Sequence, residues 1–172
     1  MLFRSGITAF VLRYRLLPTN DNFGMVLFGR LMNRKSLVQA ITPLRPLATA
    51  DGAEAVRYVR ANAAKYGVKP DRIGMMGFSA GGAVTVWTVM AAKAASRPDF
   101  VVTMYPGVVG DAFNVPAKAP PLLAMAAKDD PLVGTDPVRV VDAWKAAGAE
   151  ASLITFANGG HGFGIAKSGK AS

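Results

Sequence analysis

The chain has 172 residues, 51% hydrophobic and 18% charged, and carries a formal net charge of +9. This balance excludes a disordered tail protein, and the length suffices for one domain over residues 1–172 that buries roughly 70% of its unfolded surface. No apolar run reaches the roughly 18 residues of a spanning helix. The count of 0 cysteines excludes disulfides, thiolate catalysis and cysteine-bound metals.

The first element in chain order is the apolar run Gly6 to Arg15, which reads as a strand. The segment from Thr19 to Pro46 is atypical. Phe23 to Met32 is apolar and then basic, the pattern of a small amphipathic helix, and Arg30, Arg34, Lys35 and Arg45 concentrate charge in the same insert. A solvated loop with one short helix is the plain expectation, and a cap over a site or a lipid- or partner-facing surface fits the same pattern. Elsewhere the basic residues are spread along the chain without aromatic interleaving, so neither nucleic acid nor membrane is expected as a partner. Thr49 to Tyr66 reads as a helix with Ala53, Val56, Val59 and Ala63 near one face, Asp51 in its first turn and Gly67 as its stop.

The most informative stretch comes next. Asp71 to Met76 is a short apolar run after the turn signal Lys69-Pro70-Asp71, and Gly82 to Lys93 is long enough to be a buried helix. Between them stands Gly77-Phe78-Ser79-Ala80-Gly81. A strand that turns sharply into a helix holds such a serine in a strained conformation with its hydroxyl above the sheet. Gly77 and Gly81 are expected to keep that tight turn free of side-chain clashes.

Phe100 to Tyr105 and Pro121 to Ala127 read as further strands, the second followed by Lys128-Asp129-Asp130-Pro131. Asp136-Pro137 offers an N-cap and N1 proline for a helix over Val138 to Ala147, with Val140, Val141 and Trp144 inward. Ala151 to Phe156 is a last strand, ahead of Asn158-Gly159-Gly160-His161-Gly162-Phe163-Gly164. His161 is the 1 histidine of the chain. The glycines around it argue against burial in an apolar face and allow the imidazole to approach another element. A serine nucleophile needs such a base, and either Asp129 or Asp130 could orient it and stabilise the imidazolium. Strands alternating with helices imply a parallel sheet with the site at the carboxyl ends of its strands. A single histidine and no carboxylate cluster at ligand spacing argue against a zinc or iron enzyme, and no cofactor or metal is expected. Trp87, Trp144 and the methionines read as core.

From Gly6 to Gly164 the chain resembles an α/β-hydrolase of the small-esterase group, close to acetyl-xylan and feruloyl esterase-like and dienelactone-hydrolase-like enzymes. The resemblance is carried by Ile7 to Leu16, Pro70 to Gly74, Gly77 to Gly82, Ala119-Pro120-Pro121, Asp129 to Val133 and Gly159 to Gly164, and by the chain order serine, aspartate, histidine. It implies a three-layer α/β/α sandwich with a mostly parallel sheet, in a shortened form of the fold. It further implies Ser79 as nucleophile, His161 as base and Asp130 as acid, because the acid of the family stands three residues before a valine. The Ala80 N–H, supported by the elbow glycines Gly77 and Gly81, becomes an oxyanion donor. The activity implied is hydrolysis of short-chain acyl esters, including acetylated carbohydrates, by a serine carboxylesterase acting on small molecules.

Departures from the family accompany the match. The early loop of adjacent glycines that donates a second oxyanion N–H has no counterpart, since Gly6, Gly24 and Gly29 stand apart. Strands before Gly6 and a helix after the histidine loop are also missing from the pattern. The strand Gly6–Arg15 is therefore expected to pair directly with the nucleophile strand, or a second copy of the chain to cover the open sheet edge. A truncated, non-catalytic binding module is the rival from another class, and a serine peptidase with the same triad is a third reading. No leader is visible, so a cytoplasmic location is expected.

Overall fold

A computed structural model describes residues 6–16, 33–107 and 113–164. Helix α1, Arg34–Ile41, opens on Asn33, whose side chain accepts the Ser36 N–H at 3.1 Å. Helix α2, Arg45–Ala61, carries Pro46 in its first turn, and the single turn α3, Ala63–Tyr66, closes on Gly67 in the left-handed conformation. The helix thus begins before the expected Thr49. Pro46 supplies the preset φ that starts it, which moves Asp51 from the first turn to the interior. The core of the fold follows in order: β1 Gly74–Phe78, α4 Ala80–Ala91, β2 Phe100–Met104, β3 Leu122–Ala127, α5 Asp136–Ala146 and β4 Ala151–Phe156. At the start of α5 the capping position falls on Thr135, and Asp136, the first helical residue, accepts instead from Arg139 Nη1 at 3.1 Å.

The four strands form one sheet in the order β1-β2-β3-β4, parallel throughout. Parallel neighbours joined across α4 and α5 need crossover connections, and these helices supply them. Residues 82–89 of α4 are all buried, as befits a helix that is apolar all round and lies between α2 and the sheet. Ala48 of α2, Val84, Val86 and Val89 of α4, Val101, Leu122 and Ala124 of the sheet, and Val140, Val141 and Trp144 of α5 form one core. Trp144 is fully buried and donates its indole N–H to the Pro120 carbonyl at 3.0 Å, so its polar edge is satisfied inside that core. Side chains alternate across a strand, so Met76, Phe100 and Ile154 point to the opposite face, where they are 55%, 46% and 44% exposed. A layer of helices against that face, which a three-layer arrangement requires, is not among the described residues. The insert from Thr19 is described only from residue 33, so the expected amphipathic helix over Phe23–Met32 lies outside the described residues. None of the described helices is long and apolar enough to cross a membrane.

The expected strand Gly6–Arg15 is overturned. Residues 6–16 carry no strand and do not pair with the strand that precedes Ser79: among the described residues β1 has β2 as its one neighbour. Helix α2 holds the segment instead. The Arg15 guanidinium takes both carboxylate oxygens of Asp51, at 2.6 Å and 2.9 Å, and donates to the Leu47 carbonyl at 3.2 Å. The Phe10 ring meets Tyr66 edge-on at 4.9 Å. An apolar run becomes a strand only where the chain lies along a ladder edge, and here a bidentate ion pair to a helix fixes the position instead.

The hydrogen bonds from Arg15 hold the Asp51 carboxyl below its ordinary value of 3.8. A carboxyl depressed in the folded state stabilises the protein at pH above its unfolded value and loses that contribution as pH falls through the folded one. Asp51→Asn should therefore lower the thermal midpoint modestly near neutrality, since Arg15 is half exposed. The gap to the wild type should narrow in going from neutrality to a pH below 3.8, as the carboxyl takes up its proton in both folded and unfolded states. Thermal melts followed by circular dichroism at the two pH values check this, and a gap that persists in acid would show that the ion pair is not its source.

Candidate active site

The parallel register brings the carboxyl ends of the strands side by side, with Phe78 opposite Met104, Met104 opposite Met125 and Ala127 opposite Phe156. Ser79 directly follows β1 and caps α4. Its backbone has φ 49 and ψ −116, a conformation that an L-residue adopts only under constraint. Two backbone bonds hold it there: the Ser79 N–H donates to the Met104 carbonyl at 3.0 Å, and the Ser79 carbonyl accepts from the Ala83 N–H at 3.1 Å.

The two elbow glycines are not equivalent. A Cβ on Gly77 would lie 2.1 Å from the Gly81 carbonyl oxygen and 2.6 Å from the Gly82 nitrogen, both backbone atoms that cannot give way. A Cβ on Gly81 would meet only the Tyr14 hydroxyl, at 4.0 Å. The expectation that both flanking positions exclude side chains is thus corrected: the steric demand falls on Gly77, which faces α4 across the turn, while Gly81 looks outward.

His161 stands five residues beyond β4, in the turn 161–164, and Asp130 three residues beyond β3. The structure brings both to Ser79. His161 Nε2 is 2.8 Å from Ser79 Oγ, and His161 Nδ1 is 2.8 Å from Asp130 Oδ2. The Asp130 side chain is fully buried and that of His161 is 23% exposed, so the carboxylate is shielded while the imidazole edge reaches solvent. Asp130 Oδ1 accepts the Leu132 N–H at 2.9 Å, which leaves Oδ2 for the histidine. With Nδ1–H donated to a carboxylate, Nε2 carries the lone pair and faces the serine hydroxyl. Asp129 does not reach the imidazole. It points to the backbone of the loop ahead of His161, accepting from the N–H groups of Gly159 and Gly160.

Ala80 is the first residue of α4, where a backbone N–H has no intrahelical acceptor and the helix dipole favours negative charge. Gly24 and Gly29, which stand apart in the early segment, lie outside the described residues. No group of three or more His, Cys, Asp or Glu that could hold a metal occurs among the described residues.

Tyr105 is the site residue that reading the sequence missed. It directly follows β2 and, like Ser79, is a non-glycine residue with positive φ, at 37. It is buried, and its ring packs against His161 at 4.9 Å and Phe163 at 5.1 Å. Burial first, and the charge of Asp130 second, push its hydroxyl above the ordinary value of 10.0, so it stays neutral beside the histidine. The hydroxyl has no hydrogen-bond partner among the described residues. The available signal was an aromatic with a polar tip at the end of an apolar run, directly before Pro106.

Fold and site define the class: the chain has the α/β-hydrolase fold, with a serine, a histidine and an aspartate in line at the carboxyl edge of its sheet. The family model for the alpha/beta hydrolase fold matches residues 44–118, which include β1, the elbow and β2. Among particular relatives, an acetylxylan esterase of Xylanibacter ruminicola is 27% identical over 194 residues, covering 94% of this chain and 35% of its own length. The acetyl ester-xyloside bifunctional hydrolase of Caldicellulosiruptor lactoaceticus superposes with a TM-score of 0.59 at 25% identity, over 70% of this chain and 58% of that one. Esterase 2 of Thermogutta terrifontis, solved phosphoramylated by tabun, gives 0.59 at 26% identity over 67% of this chain and 54% of that one. The chain thus spans about a third of the curated relative and a little over half of each solved one. The resemblance drawn from the sequence holds at the level of the fold.

The asymmetry of the elbow gives a sharp test. Gly77→Ala should fail to reach a soluble folded state, because its Cβ would meet backbone atoms and no flexible side chain can move aside. Gly81→Ala should fold with wild-type or slightly higher stability, since alanine is favoured over glycine in a helix by up to about 1 kcal/mol. Soluble yield and denaturant titration of the two variants decide it, and equal damage from both would show that the turn constrains each side alike.

Proposed function

We propose that the chain is a serine carboxylesterase acting on short-chain acyl esters through an acyl-enzyme, with Ser79 as nucleophile, His161 as base and Asp130 as the residue that orients it. The observation that carries this reading is the continuous relay from Ser79 Oγ through both imidazole nitrogens to Asp130 Oδ2, with both contacts at 2.8 Å. Ser79 Oγ attacks the ester carbonyl carbon as His161 Nε2 takes its proton, and Asp130 accepts from Nδ1–H and stabilises the imidazolium. The Ala80 N–H supports the negative oxygen of the tetrahedral intermediate. His161 then protonates the departing alcohol, and water, deprotonated by the same imidazole, releases the acid and restores Ser79. The alternation works because one group serves as base and then as acid within one hydrogen bond of the serine.

Relatives that are an acetylxylan esterase, an acetyl ester-xyloside hydrolase and an esterase phosphoramylated by tabun support ester chemistry at an activated nucleophile. The first two favour acetyl groups on a carbohydrate as the substrate class.

Hydrolysis of p-nitrophenyl acetate should be abolished in Ser79→Ala, and a fluorophosphonate probe should label the wild type at Ser79 but His161→Ala only weakly. Asp130→Asn should lower kcat by about 10⁴, because an amide that donates to Nδ1 selects the wrong tautomer, and Asp129→Asn should cost far less. Labelling of the histidine variant at the wild-type rate would sink the assignment. Acetyl and butyryl esters should be cleaved faster than esters of twelve carbons or more. A rate that rises with chain length at a lipid–water interface would turn the reading towards a lipase.

A further inference from the structure

The loop that presents His161 has little in its own sequence to hold it still. Gly159, Gly160, Gly162 and Gly164 have φ of +153, +62, +88 and +80, conformations that glycine enters freely but does not enforce. Fixation must come from outside the loop. Beyond the histidine the anchor is Phe163, whose ring lies 5.1 Å from both Tyr105 and Phe156. Before the histidine it is Asp129: Oδ1 accepts the Gly160 N–H at 2.8 Å and Oδ2 accepts the Gly159 N–H at 3.2 Å.

The direction of these bonds is informative. An aspartate in a turn ordinarily satisfies an amide two residues on, as Asp130 does with Leu132. Asp129 instead reaches 30 and 31 residues along the chain, to the two amides that precede His161. It can do so because β3 and β4 are paired up to Ala127 and Phe156, so the turn and the loop leave the sheet side by side. Charge-assisted bonds to two successive amides fix the peptide planes as well as the position of the chain. Adjacent aspartates therefore divide the work: Asp130 holds the ring and Asp129 holds the backbone that carries it.

We propose that Asp129 is a positioning residue for His161, clamping residues 159 and 160 so that the imidazole stands between Ser79 and Asp130. Its effect on rate rests on the esterase reading, but its effect on the imidazole does not. Asp129→Ala should slow fluorophosphonate labelling of Ser79 by about 10- to 100-fold, the scale expected of a misplacement near 1 Å. KM for p-nitrophenyl acetate should change little. Asp129→Asn, whose amide oxygen can still accept from Gly160, should recover much of the rate.

With His161 the 1 histidine of the chain, the proton shared by Nδ1 and Asp130 is unambiguous in the NMR spectrum of a histidine-labelled sample. The downfield resonance of this proton should be present in wild type and Asp129→Asn and be broadened or lost in Asp129→Ala, with circular dichroism showing all three folded. If Asp129→Ala does not fold, Asp129→Ser, too short to span both amides, takes its place with the same expectations. A folded Ala or Ser variant that labels at the wild-type rate and keeps the resonance unchanged overturns the proposal. A wild type that neither labels nor hydrolyses esters would defeat the esterase reading, and the resonance would still decide the role of Asp129.

Discussion

Ser79 occupies a backbone conformation that costs an L-residue on the order of 1–3 kcal/mol, and much of the structure around it is arranged to hold it there. Strand β1 delivers the chain to the turn, α4 removes it at once, and Gly77 lets the two backbones cross at a separation no side chain would permit. The bond from the Ser79 N–H to the Met104 carbonyl extends the β1–β2 ladder one residue past the strand. Strain of this kind persists only where the surroundings over-determine it. The supply here is the pairing of β1 with β2 on one side and the fully buried stretch of α4 on the other.

The second organising feature is the parallel sheet. Four strands running the same way place the residues that follow β1, β2, β3 and β4 along a single edge, so Ser79, Tyr105, Asp130 and His161 meet although Ser79 and His161 are 82 positions apart. An antiparallel arrangement would send alternate connections to the opposite end. The edge is also graded in burial, from the fully buried Asp130 carboxylate to the partly open His161 ring. A buried charge needs partners, and Asp130 finds them in the imidazole and the Leu132 amide.

The sheet is lopsided among the described residues. Helices α2, α4 and α5 share one core with one of its faces, while Met76, Phe100 and Ile154 remain open on the other, and β1 stands at an edge. Residues 6–16 approach from the α2 side, tied by Arg15 to Asp51, and do not complete the ladder. Among the described residues β1 is thus paired on one side alone, and the elbow is held by β2 and α4.

By itself the sequence determined the local pieces: a serine between glycines at the junction of a strand and an all-apolar helix, a histidine in a glycine loop after the last strand, and apolar runs that became β1 to β4 within a few residues of their expected bounds. These were legible because each depends on neighbours in the chain, on turn chemistry or on the period of apolar residues. Three things were decided only by the tertiary structure. Residues 6–15 read as a strand but carry none, since a long-range ion pair holds them to α2 and they do not lie along the edge of β1. Gly77 and Gly81 look alike in the motif, yet only the path of α4 across the turn makes the first indispensable. The resemblance picks Asp130 as the acid, but the separate part played by Asp129 could not be read from two adjacent identical residues. It follows from which carboxylate the turn after β3 aims at the imidazole and which at the glycine amides, and that depends on the register between β3 and β4.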